Sequence, residues 1–253
     1  MLLKTPRALL TTHAPNLRVE SRSDLLNEKE IVQVKQILLI LVLLSVAVGC
    51  RNMIHDGVAG SGNRLKEKRT VANFTSFSTE GSYEIEFVAQ APLSLEIEGD
   101  DNILPLITTE VSNNVLHIKS KQSFSTRKPI TLKISAPSLE GVSASGAGRI
   151  EITGLKNEKF GMDVNGAPTV RVSGETKTLD LEANGAANID THKLRADRVK
   201  VEANGASKVE VYAMNELELD VNGPSRITYH GNPQVKQDVS GPGSVVKKES
   251  IGS

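Results

Sequence analysis

The sequence contains no tryptophan, and its aromatic residues make up only 3% of 253 residues. This scarcity predicts a core of Val, Ile, Leu and Ala and argues against a cleft in which sugars stack on aromatic rings. The 30 Lys and Arg residues are balanced by 30 Asp and Glu residues. The chain therefore has no net charge to attract nucleic acid. A single cysteine excludes a framework of intrachain disulfides.

One apolar run, from Ile37 to Val48, precedes Gly49 and that single cysteine, Cys50. The run is shorter than the roughly 20 residues of a membrane-spanning helix and matches the apolar part of an export signal. Its end resembles the lipobox of bacterial lipoproteins, although Ala47 replaces the usual leucine. We predict a lipoprotein signal peptide at 35–49 and a lipidated Cys50 that holds the protein to the membrane. A short anchor helix with an incidental cysteine is the alternative.

The segments on either side of this signal lack the pattern of a folded core. Residues 1–34 carry mixed charges, and we interpret them as an over-extended translation start or a disordered segment. Residues 50–69 are polar and aperiodic, which predicts a flexible tether between the lipid and the fold. Folded structure is therefore expected from residue 70 onward.

The strongest signal is an internal repeat in the second half of the chain. A short phrase, most often Asn-Gly-Ala, recurs with its glycine at steps of 18 to 20 residues. Apolar and polar residues alternate on both sides of each glycine, which predicts strands. The repeat therefore predicts an all-β, parallel β-solenoid with coils of about 19 residues. The corner residues are Ser145, Gly146, Asn165, Gly166, Asn184, Gly185, Asn204, Gly205, Asn222, Gly223, Ser240 and Gly241.

Two questions of architecture stay open from the sequence. Asn-Gly turns also close β-hairpins, so an up-and-down meander could use the same corners. The return of one kind of corner at full-repeat spacing favours the solenoid. Residues 70–137 contain shorter alternating strands, and we interpret them as an irregular β-rich portion that continues into and caps the repeats at 138–253. A separate β-sandwich is the alternative for this portion.

Three stretches together resemble the head GIN domain family of auto-transporter adhesins, which is abundant in Bacteroidetes. They are the EGDDNILP turn, the passage from Pro137 to Ala147 (PSLEGVSASGA) and the repeats that follow. The resemblance covers roughly Phe74 to Val246. It implies a β-helical domain of the cell envelope, usually behind a lipoprotein signal. It transfers no catalytic or binding residue to this chain.

No spacing in the sequence identifies a catalytic or metal site. The five histidines lack HxxxH and HExxH spacing, and no nucleophile elbow or phosphate-binding loop is present. Distant histidines can still meet in a folded chain. Asp100 and Asp101 form either a cation site or, as we favour, a solvated turn. We therefore predict no catalytic residue, no metal and no cofactor.

An acidic residue stands three positions before each repeat glycine from the second repeat onward. In stacked coils these residues would form a column with about 4.8 Å between neighbours. The column is interpreted either as a stripe that binds cations or docks a partner, or as a solvated face. We favour the solvated face, because Lys200 and Lys236 alternate with Asp180 and Glu218 on the neighbouring column. The acids are Asp163, Glu182, Glu202, Asp220 and Asp238.

Together these features predict a non-catalytic, lipid-anchored binding module of the cell envelope, of adhesin type. Its partners would be the membrane, through the lipid on Cys50, and a surface, protein or glycan ligand, but not nucleic acid. An outer-membrane lipoprotein is expected, with its surface or periplasmic face undecided. A periplasmic scaffolding lipoprotein is the first alternative. A carbohydrate-active β-helix enzyme is the weakest, because no loops build an evident cleft.

Overall fold

The computed structural model describes residues 57–249. Within this range one short helical element occurs, a 3₁₀ turn at Leu104–Leu106. No helix in the described part is long and apolar enough to cross a bilayer. The predicted signal peptide at 35–49, Cys50 and residues 1–34 lie outside the described residues.

The strands ahead of the repeats are short and separated by turns. They are β1 (Val58–Ala59), β2 (Arg64–Lys68), β3 (Ser76–Glu80), β4 (Tyr83–Ala89), β5 (Ser94–Asp100), β6 (Ile107–Ser112), β7 (Val115–Ser120), β8 (Phe124–Ser125) and β9 (Ile130–Ala136). In the repeats, the four strands β11 to β14 are long because each continues through the bend between successive corners. They are β10 (Gly141–Gly146), β11 (Arg149–Gly166), β12 (Thr169–Gly185), β13 (Asn188–Gly205), β14 (Lys208–Asn222), β15 (Arg226–His230), β16 (Gln234–Ser240) and β17 (Ser244–Lys247).

The repeats stack as parallel coils, with equivalent residues opposite each other. Gly166 lies opposite Gly185, and Gly185 lies opposite Gly205. This register confirms the predicted all-β parallel solenoid. It excludes the meander, in which neighbouring strands would run antiparallel. We call the strand before each corner glycine the pre-corner strand and the strand after it the post-corner strand.

The core is built from columns of aliphatic side chains that point inward from every coil. Alternation along each strand buries one face, while the other stays in water. Burial of these columns is the main favourable term for a fold with so few aromatic residues. The post-corner column is Ile150, Val170, Ile189, Val209 and Ile227, each at most 2% exposed.

The first layers of the stack do not follow chain order. Strand β3 lies between β7 and β10, and β4 lies between β9 and β11. After β4 the chain continues through β5 and β6, and then β7 pairs with β3 and β9 pairs with β4. The chain next forms β10, which pairs with β3 on the side opposite β7. Because β4 pairs directly with β11, residues 70–137 share one sheet with the repeats. A separate β-sandwich is excluded.

The structure differs from the predicted tether over residues 58–68. Strand β2 pairs antiparallel with β5, where Lys66 Nζ lies 3.5 Å from Glu98 Oε2. An added edge strand gains its hydrogen bonds from the backbone and needs no apolar face of its own. The charged sequence RLKEK therefore shows no alternation, although it forms a strand that covers one edge of the sheet.

Candidate functional site

The structure places the five predicted acids in one column on the pre-corner strands. Each acid lies opposite the next in the register of neighbouring coils. Like charges directly opposed across a strand pair destabilise a sheet, so the column needs compensating donors. Its members, in order, are Asp163, Glu182, Glu202, Asp220 and Asp238.

Three of the carboxylates accept a hydrogen bond from the corner asparagine two residues further along. Asn165 donates to Asp163 at 2.8 Å, and Asn184 donates to Glu182 at 2.9 Å. Asn222 donates in the same way to Asp220 at 2.9 Å. These contacts give the acids a structural role at the corner, independent of any ligand.

The asparagines also bond to each other along the stack. Asn204 Nδ2 donates to Asn184 Oδ1 at 3.1 Å, and Asn222 Nδ2 donates to Asn204 Oδ1 at 3.2 Å. A ladder of amide side chains is a known stabilising feature of in-register parallel strands. The corners therefore combine a side-chain ladder with the column of acids beside it.

The neighbouring column alternates in sign. Lys236 Nζ lies 2.7 Å from Glu218 Oε1, and Lys200 Nζ lies 2.6 Å from Glu202 Oε1. The hydrogen bond from Lys236 lowers the pKa of Glu218, and the hydrogen bond to Glu202 raises the pKa of Lys200. Both pairs are solvent-exposed, so each contributes little stability. Their effect is to offset the charge of the acids, as the solvated-face interpretation requires.

A shallow depression of about 520 Å³ opens on this face where the column beside the acids lacks side chains. Gly141, Gly161, Asp163 and Glu182 are among the residues that line it. This is the concave part of the pre-corner face that lies nearest the predicted stripe. A ligand that contacts the stripe would have room here for one small protruding group.

Asp100 and Asp101 do not form a free carboxylate pair. Gly62 N donates to Asp100 Oδ2 at 3.1 Å, and the Ser61 hydroxyl donates to Asp101, which lowers the pKa of Asp101. Asn102 donates to the carbonyl of Ala59 at 2.8 Å. The turn therefore holds the segment that leads into β2 by hydrogen bonds. The carboxylates of Asp100 and Asp101 accept these bonds from donors within the protein.

The structure also assembles a cluster that no local metal-binding motif in the sequence reveals. His192 hydrogen-bonds through Nδ1 to Asp190, and His230 Nε2 lies 2.7 Å from Glu210 Oε1. The two imidazole rings are 5.7 Å apart. The hydrogen bond from His230 is the main cause of a lowered pKa of Glu210, and Lys248 contributes further. We call Asp190, His192, Glu210 and His230 the histidine–carboxylate cluster.

Alignment of the coils on their glycines would have revealed this cluster. Asp190 and Glu210 each stand five residues after a corner glycine, and His192 and His230 each stand seven after one. Equivalent positions in a solenoid share a column, so this alignment places the four groups on one face of neighbouring coils. His117, the remaining histidine of the described residues, lies in β7 of the irregular portion.

Comparison with known proteins agrees with this architecture. The family model described as "Putative auto-transporter adhesin, head GIN domain" matches residues 73–233. The chain belongs to this family. The head GIN match begins after β2 and ends before β16, so it includes the histidine–carboxylate cluster and four of the five acids. No curated relative matches the chain.

Solved structures share the fold of this head GIN protein. A "putative adhesin" from Bacteroides fragilis NCTC 9343 is 23% identical, with a TM-score of 0.61, and the match covers 77% of this chain and all of that one. A "putative adhesin" from Parabacteroides distasonis ATCC 8503 is 20% identical, with a TM-score of 0.53 and coverage of 76% and 100%. A "putative lipid binding protein" from the same organism is 16% identical, with a TM-score of 0.50 and the same coverage. At these identities the likeness establishes the fold alone.

Proposed function

We propose that this head GIN protein is a non-catalytic adhesive module of the bacterial cell envelope, held to the membrane by a lipid on Cys50. Membership of an adhesin family supports the class of function. The observation that carries the proposal is the pre-corner face, on which outward polar side chains stand in straight columns from β10 to β16. Solenoids use such extended, rigid surfaces to bind partners.

The ligand contact is proposed to lie on this face, around the depression beside Asp163 and Glu182. The acids there are tied to corner amides, so the surface offers fixed acceptors at little cost in ordering. A polar protein or glycan surface is the class of ligand that such a face suits. The alternating charges of the neighbouring column would contribute to orientation more than to affinity.

The anchor is tested by labelling cells with palmitate and treating intact cells with protease. Wild type is compared with Cys50→Ala and with a version in which a non-lipoprotein export signal replaces residues 1–50. We expect label only in the wild type, with cleavage of its folded part on intact cells. The replaced signal separates loss of the lipid from loss of export. Protection of a labelled protein would instead favour the periplasmic scaffold, and label on Cys50→Ala would refute the anchor.

The binding face is tested by replacing the five acids of the column with asparagine and measuring adhesion of cells that display the protein. We expect adhesion to fall, while stability stays unchanged or rises because like charges are removed. The matched control carries Glu84→Gln, Glu86→Gln and Glu151→Gln on the post-corner face. Equal loss of adhesion in both variants would show that this face has no special role.

A further inference from the structure

The histidine–carboxylate cluster lies on the post-corner strands, away from the proposed adhesive face. Asp190 and His192 belong to β13, Glu210 to β14 and His230 to β15. Three coils thus contribute to a single site. One oxygen or nitrogen atom from each of Asp190, His192 and Glu210 lies within 4.8 Å of the other two. At this spacing, small side-chain rotations would let the three atoms bind one ion.

The backbone pairing is irregular at His192. The pairing of β13 with β14 runs in register to Thr191 and resumes only at Arg195. His192 lies in the resulting bulge. Bulges re-aim side chains and are common beside functional sites. Because Asp190 and His192 are two residues apart in β13, alternation along the strand places both side chains on one face.

The two carboxylates create a local excess of negative charge. Asp190 lies directly opposite Glu210 in the register, and their side chains are only 32% and 19% exposed. Opposed like charges destabilise a strand pair, more so when partly buried. A cation bound between the two carboxylates would offset this repulsion, and one imidazole with two carboxylates is a ligand set that suits borderline ions such as zinc.

His230 and Lys248 approach the same oxygen of Glu210. His230 Nε2 lies 2.7 Å and Lys248 Nζ 3.2 Å from Oε1. Among the hydrogen bonds of residues 57–249, none uses Glu210 Oε2. Carboxylates that bind a metal are themselves hydrogen-bonded to outer-shell partners, and His230 is such a partner for Glu210.

We propose that Asp190, His192 and Glu210 bind a divalent transition-metal ion, with zinc the best match, and that His230 is a positioning residue for Glu210. Three protein ligands leave a fourth coordination position for water or for a donor from a ligand. Lys248 is a resident positive charge that opposes the ion. The site is independent of the proposed adhesive function, and either can fail without the other.

Isothermal titration with zinc chloride tests the site in the full chain, purified in detergent. Every protein carries Cys50→Ala, because a free thiol would bind zinc itself. We expect one ion per chain, with no comparable binding of magnesium. His192→Gln and Glu210→Gln should each weaken zinc binding by at least about tenfold, and His230→Gln by about tenfold, the usual effect of losing an outer-shell partner.

Two further variants separate a metal site from a merely structural cluster. His117→Gln removes a histidine elsewhere and should leave zinc affinity unchanged. Lys248→Ala removes a competing positive charge and should tighten zinc binding several-fold, whereas a structural role would predict no gain. Circular dichroism checks that each variant folds. If His192→Gln fails to fold, Asp190→Asn is tested in its place. Cobalt then substitutes for zinc, and we expect its visible absorption to be weaker in Asp190→Asn than in the parent protein. Absence of zinc binding, or binding that His192→Gln and Glu210→Gln leave intact, would overturn the proposal.

Discussion

The strands ahead of the repeats (β1 to β9), which we call the early layers, and the repeats themselves are held in register by different contacts. In the early layers large side chains interlock: the rings of Phe77 and Phe87 stack at 5.7 Å, and Phe74 meets Phe87 edge-on at 6.5 Å. In the repeats, backbone packs on backbone at the corners. A Cβ atom on Gly185 would lie 2.3 Å from the carbonyl oxygen of Gly166. One half therefore depends on side-chain shape, and the other on the absence of a side chain.

The two ends of the described stack differ as well. Antiparallel strands β2 and β6 cover the early layers. At the other end of the described residues, every residue of β16 is exposed, including Val235 at 40% and Val239 at 37%. Regions with little buried apolar surface open most readily. Local opening is therefore expected to begin in β16 and β17 rather than in the covered layers.

The sharpest test of this comparison is Gly185→Ala, which we expect to destabilise the protein by about 4 kcal/mol or more. The added methyl meets backbone that cannot move aside, at a φ of +132° that L-residues avoid. In the early layers, Gly99→Ala meets only the ends of the Ile130 and Leu104 side chains and should cost about 1–3 kcal/mol. Urea denaturation measures both.

Gly241→Ala separates the backbone angle from the clash. Its φ is +94°, but the nearest atom to an added Cβ is 3.6 Å away. We expect a cost of about 1 kcal/mol, the lower end for strain alone. Equal losses for Gly185→Ala and Gly99→Ala would show that backbone contact is not what distinguishes the repeats.

The second prediction concerns the aromatic cluster. Phe87→Ala should destabilise the protein by about 3–5 kcal/mol, because a cavity would open between Phe74 and Phe77. Val201→Ala, fully buried in the repeats, removes about two methylene equivalents and should cost about 2 kcal/mol. Thermal unfolding of both variants measures the difference. A larger loss at Val201 would place the main core in the repeats instead.

The repeat half of the fold was predictable because every coil has the same pattern of corner and inward-facing residues. The corner at Asn184 and Gly185 and the inward column through Val170 and Ile189 follow from alignment of the coils. The order of the early layers was not predictable, since alternation along β4 is the same whichever strands lie beside it. Tertiary packing decides which strands lie beside β3 and β4, and the periodicity of the sequence carries no information about it.

The two candidate sites also differ in how far the sequence predicts them. The acid column lies at equivalent repeat positions, so its geometry could be derived from spacing alone. The histidine–carboxylate cluster obeys the same spacing and could have been found by aligning the coils, whereas the bulge at His192 has no sequence signature. The strand at Arg64 to Lys68 was missed because its charged residues pair with a sheet edge and need no apolar face.

The third prediction tests the covered end of the stack. Asp100 is 3% exposed, accepts from Gly62 N and lies 3.7 Å from Arg64. Asp100→Ala leaves these donors without their acceptor and should cost about 2–3 kcal/mol. Hydrogen exchange should rise across residues 57–68, since the hydrogen bond to this segment is lost. Asp180→Ala, which removes a surface ion pair with Lys159, should leave exchange there unchanged. Unchanged exchange in Asp100→Ala would show that strand pairing alone holds β2.

The smallest expected effect concerns Tyr83, whose buried hydroxyl has no hydrogen-bond partner among the described residues. Tyr83→Phe keeps the ring and removes that hydroxyl, so we expect a gain of about 1 kcal/mol at neutral pH. Burial, with a smaller contribution from Glu80, raises the pKa of Tyr83 to about 12 from 10.0. The folded protein thus keeps a proton that the unfolded chain releases between these values.

Unfolding is therefore coupled to proton release from Tyr83, and the wild type should lose stability as pH rises from about 10 to about 12. Tyr83→Phe removes this contribution, so its advantage over the wild type should widen across that window. Urea denaturation at pH 9 and at pH 11.5 measures the change, with Tyr229→Phe as the control for loss of one tyrosine in the repeats. A stability difference between Tyr83→Phe and the wild type that does not change with pH would contradict this prediction. It would mean that Tyr83 has the same pKa in the folded and unfolded states, so that water reaches its hydroxyl.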